Sequence, residues 1–415
     1  MHQSRPVTAE RSRLQCPSRH RGGGILLPLH LTGEVQPGRG AGDISGIDIA
    51  LNGWLIKDYR AYSTETSDNR GIWLQRSVLR ITDAALQRAG GFRRKDRMSA
   101  IEADDVLEAL ASATSENQLS SLRREQVVQL PPEGEVWMTG DLHDHRANFS
   151  RLVNAADLAN NPQRHLILHE LIHGEYFDAN GAEDSWRTLV RAAVLKCDFP
   201  NQVHFLLANH DLAQIHGEGI MKMGLSVCEA FTRGLKRDFG GQYQTVNVAI
   251  TEFLLSFPLA ARTQTGLFFC HSMPADPQMS KFDFTVFDRP LLGEDYKRRV
   301  GPVYQLIWGR HMTPAAVEFF ADKVGARIII TGHQPQEAGF AVNGPRHLIL
   351  ASDHNQGVFL PIDLAETYEM DGLVGRIRKF VSLGIGGAVA AEEDEEDSTE
   401  PSPRSSPKLP GDEEE

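Results

Sequence analysis

The chain has 415 residues, 41% of them hydrophobic, and a formal net charge of −12. That size and apolar content suffice to bury a large core, and length alone would allow two or three domains. The acidic balance argues against a general nucleic-acid binder, and no run approaches the ~20 apolar residues of a membrane-spanning helix.

Residues 1–97 are rich in Arg and Gly, with few periodic segments before Gly71, and read as a poorly ordered basic leader with Met98 as an alternative start. The apolar stretch Ile25 to Leu29 is too short, and too interrupted by Pro28, for a secretory signal core. A helical extension is expected over 98–130. Ile101, Val106, Leu107, Leu110, Leu119, Leu122 and Val127 recur at helical spacing until Pro131-Pro132 ends the segment.

The main domain is expected over 131–390. Apolar runs at 135–140, 165–169 and 202–207 read as strands, with helices at 146–160 and through Trp186 to Leu195 between them. This alternation predicts an α/β fold with a largely parallel sheet. Residues 211–260 read as wholly helical. The later strands, at 266–270, 326–331, 347–351 and 357–361, are closer together and more hairpin-like. Two sheets face to face, with helices outside, is the expected architecture. His165 and His204 read as core or surface histidines without a functional role. Beyond this lies a tail, 391–415, with an unbroken acidic run from Glu392 to Asp397 and a close on Asp412-Glu413-Glu414-Glu415. Its composition cannot offset the entropy of ordering, so it reads as disordered, and its charge makes it a candidate partner site. Cys16, Cys197, Cys228 and Cys270 show no paired spacing, which fits a reducing cytoplasm.

Five short motifs carry the chemistry, each at the end of an apolar run: Gly140-Asp141-Leu142-His143, His169-Glu170-Leu171-Ile172-His173, Asn209-His210-Asp211, Cys270-His271 and Gly332-His333. Strands that end in ligands place them along one sheet edge, where open α/β sheets hold their sites. Asp141 and His143, two apart, face one ion. Asn209, His271 and His333 are candidates for a second, and Glu170 is the carboxylate placed to bridge the two. A mixed nitrogen and oxygen set suits Mn²⁺, Fe or Zn²⁺. Two metals ~3.5–4 Å apart acidify a shared water and clamp both oxygens of an in-line displacement. His210, next to ligand Asn209, is the candidate donor of a proton to the leaving alkoxide.

Over 134–362 the chain resembles the calcineurin-like metallophosphoesterases, and within them the serine/threonine phosphoprotein phosphatases. Gly140-Asp141-Leu142-His143 is similar to the family's Gly-Asp-x-His, and Ala208-Asn209-His210-Asp211 to its Gly-Asn-His-Glu/Asp. Phe269-Cys270-His271 and Gly332-His333-Gln334 resemble the segments of its last two histidines. The resemblance implies a four-layer αββα sandwich of two mixed sheets with a dinuclear metal site at the strand carboxyl ends. It further implies hydrolysis of phosphomonoesters, in a phosphoprotein or a small phosphate ester, by attack of a metal-bridging hydroxide. Asp211 joins His210 in the catalytic set on the same ground. The second motif departs from the family's Gly-Asp-x-x-Asp-Arg-Gly. Glu170 replaces the bridging Asp, His173 the Asp that supports the acid histidine, and Gly174 the phosphate-binding Arg. Arg146 and Arg310 are candidate replacements for that cation.

The altered stretch also spells His-Glu-x-x-His, the zinc-peptidase signature, which works only on a helix that brings both histidines to one face. A metal-binding protein without turnover is the third reading. Metal stoichiometry on one substitution separates the first two. Glu170→Gln is expected to bind at most one ion if Glu170 bridges two, whereas a peptidase base lies outside the ligand set and the variant would keep its zinc. A fully loaded Glu170→Gln protein would rule out the bridging role.

Overall fold

In the computed structural model, residues 47–51, 54–59, 102–217, 220–222 and 224–383 are described. Of the expected leader, Ile47–Leu51 and Trp54–Tyr59 pair as an antiparallel hairpin. The remainder of 1–97 and the acidic tail 391–415 lie outside the described residues.

Two mixed sheets form the centre of the domain. One runs, in order across it, Arg378–Lys379, Val358–Asp363, Glu135–Asp141, Arg164–His169 and Val203–Leu206. The last three of these are parallel. The other sheet orders Phe340–Val342, His347–Leu350, Ile328–Thr331, Leu267–Cys270, Ala260–Arg262, Val127–Gln129 and Arg123–Arg124. Alternation along each strand divides the two faces. Val136, Met138, Ile167, Phe269, Ile330 and Leu360 pack in one core cluster shared by both sheets. Trp137, on the other face of its strand, packs at a tilt against Phe359, ring centroids 5.0 Å apart, and lies under the Arg164 guanidinium. All four residues of Leu267–Cys270, Ile328–Thr331 and His347–Leu350 are buried, so helices cover the outer face as well.

Three elements differ from their local signals. The first helix, Ala103–Gln118, buries Val106, Leu110 and Ala113 at helical spacing against Trp186–Asp198 and Tyr243–Leu255, but it stops there rather than at 130. Residues 123–129 turn through Glu125, at φ 50°, into a hairpin whose second strand pairs in parallel with Ala260–Arg262. Pairing across more than a hundred residues overrides the local period there. The span 211–260 holds three helices, Asn209–His216, Val227–Phe239 and Tyr243–Leu255. Gly217, left-handed at φ 74°, ends the first of these. Finally, strands 267–270, 328–331 and 347–350 are mutually parallel, not hairpins. Their carboxyl ends therefore emerge at one edge. No helix among the described residues is long and apolar enough to cross a membrane.

On the neighbouring strands 164–169 and 203–206, His165 Nδ1 lies 3.1 Å from His204 Nε2, with the rings stacked and buried. Burial lowers His165 to about 4 and holds His204 well below its ordinary value. The unfolded chain therefore takes up protons on both rings below about pH 6.5 while the folded chain stays neutral. Their contribution is complete above that pH and is lost as pH falls towards 4. The paired His165→Leu, His204→Leu variant is expected to lose less stability on acidification, by up to about 1.4 kcal/mol per pH unit for each proton. Urea midpoints at a series of pH values measure this, and parallel profiles for variant and parent would refute it.

Candidate metal centre

The centre forms where the carboxyl edges of the two sheets meet. Strand Glu135–Asp141 pairs with Arg164–His169 through a bulge between Met138 and Asp141, which re-aims its end. There the second sheet is too close for a side chain. A Cβ on Gly140 would stand 2.2 Å from the Leu350 carbonyl oxygen, and Asp141 bridges directly to Ala351. The chain then turns sharply. His143, Asp144, Glu170, His173 and His333 all have positive φ, between 41° and 68°. Such backbone costs about 1–3 kcal/mol per residue and persists only where its surroundings enforce it. Part of that enforcement is visible: the Glu170 carbonyl accepts from both Leu142 N–H (3.1 Å) and His143 N–H (2.8 Å), joining the first two motifs.

The ligand groups converge on Glu170. Its Oε1 accepts the His210 backbone N–H at 3.2 Å, at the N-terminus of helix Asn209–His216. Its Oε2 lies 3.5 Å from His271 Nε2, is buried, and has no hydrogen-bond partner. His271 Nε2 is 2.8 Å from Asn209 Oδ1 and 3.1 Å from His333 Nδ1, which is itself 3.0 Å from that amide oxygen. His333 N–H donates to Asp141 Oδ1 at 2.9 Å. Three overlapping sets of ligand atoms result: Asp141, His169 and His271; His143, Glu170 and His210; Glu170, His271 and His333.

Electrostatics follow from that crowding. Burial, and then the Asp141 charge, raise Glu170 well above the usual carboxylate range. Burial pulls Asp141 the same way, yet the rings of His271 and His169 hold it below its ordinary value. Burial lowers His333 to about 3, and Arg310 adds to the effect. Burial likewise disfavours the charged form of His143, His169 and His271. Two buried carboxylates and several neutral nitrogens around an unpartnered Oε2 are a donor set that fits divalent cations.

Residues 134–337 match the family model for calcineurin-like phosphoesterases. That segment is a calcineurin-like phosphoesterase domain. No curated protein matches it significantly. It is similar to a protein serine/threonine phosphatase from Saccharomyces cerevisiae, at 14% identity over 70% of this chain and 89% of that one, with a TM-score of 0.47. It is also similar to a cold-active protein-tyrosine phosphatase from a Shewanella species, at 11% identity over 64% and 84%, with a TM-score of 0.40.

Within this domain the residues singled out from sequence are not equally placed. Asp141, His143, Glu170, His271 and His333 fall within the overlapping ligand sets, and the Asn209 amide oxygen lies against His271 and His333. The peptidase reading fails on geometry: residues 170–173 follow a strand and are not helical, so the two histidines of the motif diverge. His169 Nε2 reaches the Thr139 carbonyl at 2.9 Å, and His173 Nε2 reaches Gln214 Oε1 at 3.0 Å. Asp211 is engaged as a helix cap, its Oδ2 accepting Ala208 N–H at 2.9 Å, and burial raises it to about 7. Arg146 is committed to Asp144 and Asp184. Arg310 is exposed and has no ion pair among the described residues. His210 lies with Nε2 3.8 Å from Glu170 Oε1 and Nδ1 3.1 Å from His173 Nδ1.

Two participants escape sequence reading. His169 stands with Asp141 and His271, its Nδ1 3.3 Å from His271 Nδ1. Its position in the second motif was the available signal. Lys222 comes from a short hairpin after the third motif. Its Nζ donates to the His173 carbonyl at 3.1 Å, and its charge acts on His143, His173 and His210. No local pattern marks it.

Gly332 tests how tightly the centre is packed. A Cβ there would lie 2.3 Å from Asp141 Oδ1 and 2.7 Å from His169 Cε1. Gly332→Ala is expected to cost about 1–3 kcal/mol and to weaken binding of Mn²⁺ to the purified chain by displacing Asp141. Calorimetric titration checks this, and unchanged affinity would show that the carboxylate has room to move.

Proposed function

We propose that this chain is a phosphatase that hydrolyses phosphomonoesters, of a phosphoprotein or a small phosphate ester, with two divalent metals. The observation that carries this reading is the buried, unpartnered Glu170 Oε2 at the overlap of the ligand sets. Asp141, His143 and Glu170 would hold one ion, and Glu170, Asn209, His271 and His333 the other. Their mixture of imidazole and oxygen donors favours Mn²⁺, Fe or Zn²⁺. Bound ions would supply charge neutralisation and Lewis acidity for phosphoryl transfer.

The chain's own groups would bind and orient the ester. Gly174 leaves the phosphate without the arginine usual at that position, and two other cations are near enough to replace it. Lys222 acts on the histidines of the first three motifs, and Arg310 acts on His333. A phosphate between them would meet positive charge from two elements far apart in sequence. Beside Gly309 opens a cavity of about 280 Å³ lined in part by Arg299, Tyr304 and Trp308. The last two rings stack at 5.1 Å. That wall suits the organic part of a substrate bearing an apolar or aromatic group. A cytoplasmic setting is supported by Cys197 and Cys270, neither of which forms a disulfide among the described residues.

The test is hydrolysis of a chromogenic phosphomonoester and a phosphodiester by the purified full chain, with Mn²⁺ and with EDTA. Turnover of the monoester should require metal, and Asp141→Asn should abolish it with little change in fold. Activity that survives thorough chelation would overturn the proposal, and metal binding without turnover would leave a metal-binding protein. Lys222→Met and Arg310→Met are each expected to lower kcat/KM by about 10²-fold while leaving metal content unchanged. Parent-like kinetics in both variants would remove them from the phosphate site.

A further inference from the structure

The cavity beside Gly309 has a single charged group in its lining, the Arg299 guanidinium, and no carboxylate, in a chain whose formal net charge is −12. Its inner end is tied to the metal centre. Ser272, the residue after His271, donates its hydroxyl to the Gly309 carbonyl at 2.6 Å. A Cβ on Gly309 would lie 1.7 Å from the Met273 carbonyl oxygen, so only glycine allows this approach. Arg310, the next residue, acts on His333.

Local sequence builds the rest of the wall. Helix Pro302–Trp308 places Tyr304 and Trp308 one turn apart on one face, where their rings stack at 5.1 Å. Just before it, the Gly301 N–H donates to the Lys297 carbonyl at 2.8 Å, and a Cβ on Gly301 would stand 2.2 Å from the Asp295 carbonyl oxygen. The chain is folded tightly there, and Arg299 is forced into left-handed backbone at φ 65°. Lys297 is paired with Glu294, whereas Arg299 is exposed and has no ion pair among the described residues.

The outer end of the cavity thus offers a free planar cation, which suits a carboxylate, and its wall offers two stacked rings, which suit an apolar side chain. The exposed amide of Gln278 on the same lining can pair with main-chain groups. The seven-residue helix is about 10 Å long, a span that an extended peptide covers in about three residues. A peptide with its phosphate at the metal centre can therefore reach both features at once.

We propose that this cavity is a recognition groove for phosphopeptides, taking an acidic residue on Arg299 and an apolar one against Tyr304 and Trp308, about three positions from the phosphorylated residue. This rests on the phosphatase reading above and narrows its substrate to an acidic segment of a phosphoprotein.

The experiment compares three substrates with the Mn²⁺-loaded full chain. One is a phosphothreonine peptide with Phe two residues and Asp three residues away on each side. The second has Lys in place of each Asp, and the third is p-nitrophenyl phosphate. The acidic peptide is expected to show kcat/KM about 10-fold above the lysine peptide, because attraction of one charge and repulsion of the other add. Arg299→Glu should reverse that preference, and Tyr304→Ala should raise KM for the acidic peptide about 5-fold. Fluorescence anisotropy of the labelled dephosphorylated peptides should give the same order of affinity, without turnover. Hydrolysis of p-nitrophenyl phosphate with equal kcat/KM for the two peptides would overturn the groove whether or not the variants fold, and would leave the phosphatase reading standing. So would an unchanged preference in a folded Arg299→Glu protein. A chain that hydrolyses none of the three would overturn both.

Discussion

Two buried carboxylates, Asp141 and Glu170, stand where the sheet edges meet, and the surrounding structure is organised by the need to make that charge tolerable. Desolvation disfavours each charge, and each raises the cost of the other. Protein groups supply partial relief. The His333 N–H reaches Asp141, and the His210 N–H at a helix N-terminus reaches Glu170. Neither contact brings a full positive charge, and Glu170 Oε2 has no donor at all. A site built in this way offers a donor set that fits cations.

That requirement accounts for features that would otherwise be costs. Left-handed backbone at His143, Glu170 and His333 lets chains leaving parallel strands turn at once towards one point instead of continuing past it. The bulge before Asp141 and the side-chain-free approach at Gly140 and Gly332 bring two sheets within reach of the same ligand cluster. Asp211 contributes at one remove. By capping helix Asn209–His216 it holds Asn209 and His210 at the helix start, beside Glu170 and His271.

The altered second motif makes physical sense as a pair of orienting histidines. His169 is anchored on the Thr139 carbonyl and turns a nitrogen to His271, and His173 is anchored on Gln214 and turns one to His210. Both are fully buried, so each fixes its neighbour through a neutral hydrogen bond. An aspartate in the place of His173 would add negative charge beside Glu170, which is already raised by Asp141.

Much of this was legible from residues alone, because strand, turn and ligand type are local signals. The apolar runs before Asp141, His169, Asn209, His271 and His333 announce buried strands, and polar groups at their ends announce a sheet-edge site. Six candidate ligands are named on that basis, and the family resemblance supplies the layered fold. What only the tertiary structure decided depends on pairings and approaches between distant segments, which leave no periodic trace. It turned residues 123–129 from helix into sheet through contact with 260–262, and it made the later strands parallel. It withdrew Arg146 into ion pairs with Asp144 and Asp184, and it brought Lys222 to the site from a hairpin with no motif. Above all, it separated His169 from His173. The same five letters specify a peptidase helix or a strand end, and the choice lies in the parallel pairing of 164–169 with its neighbours on both sides.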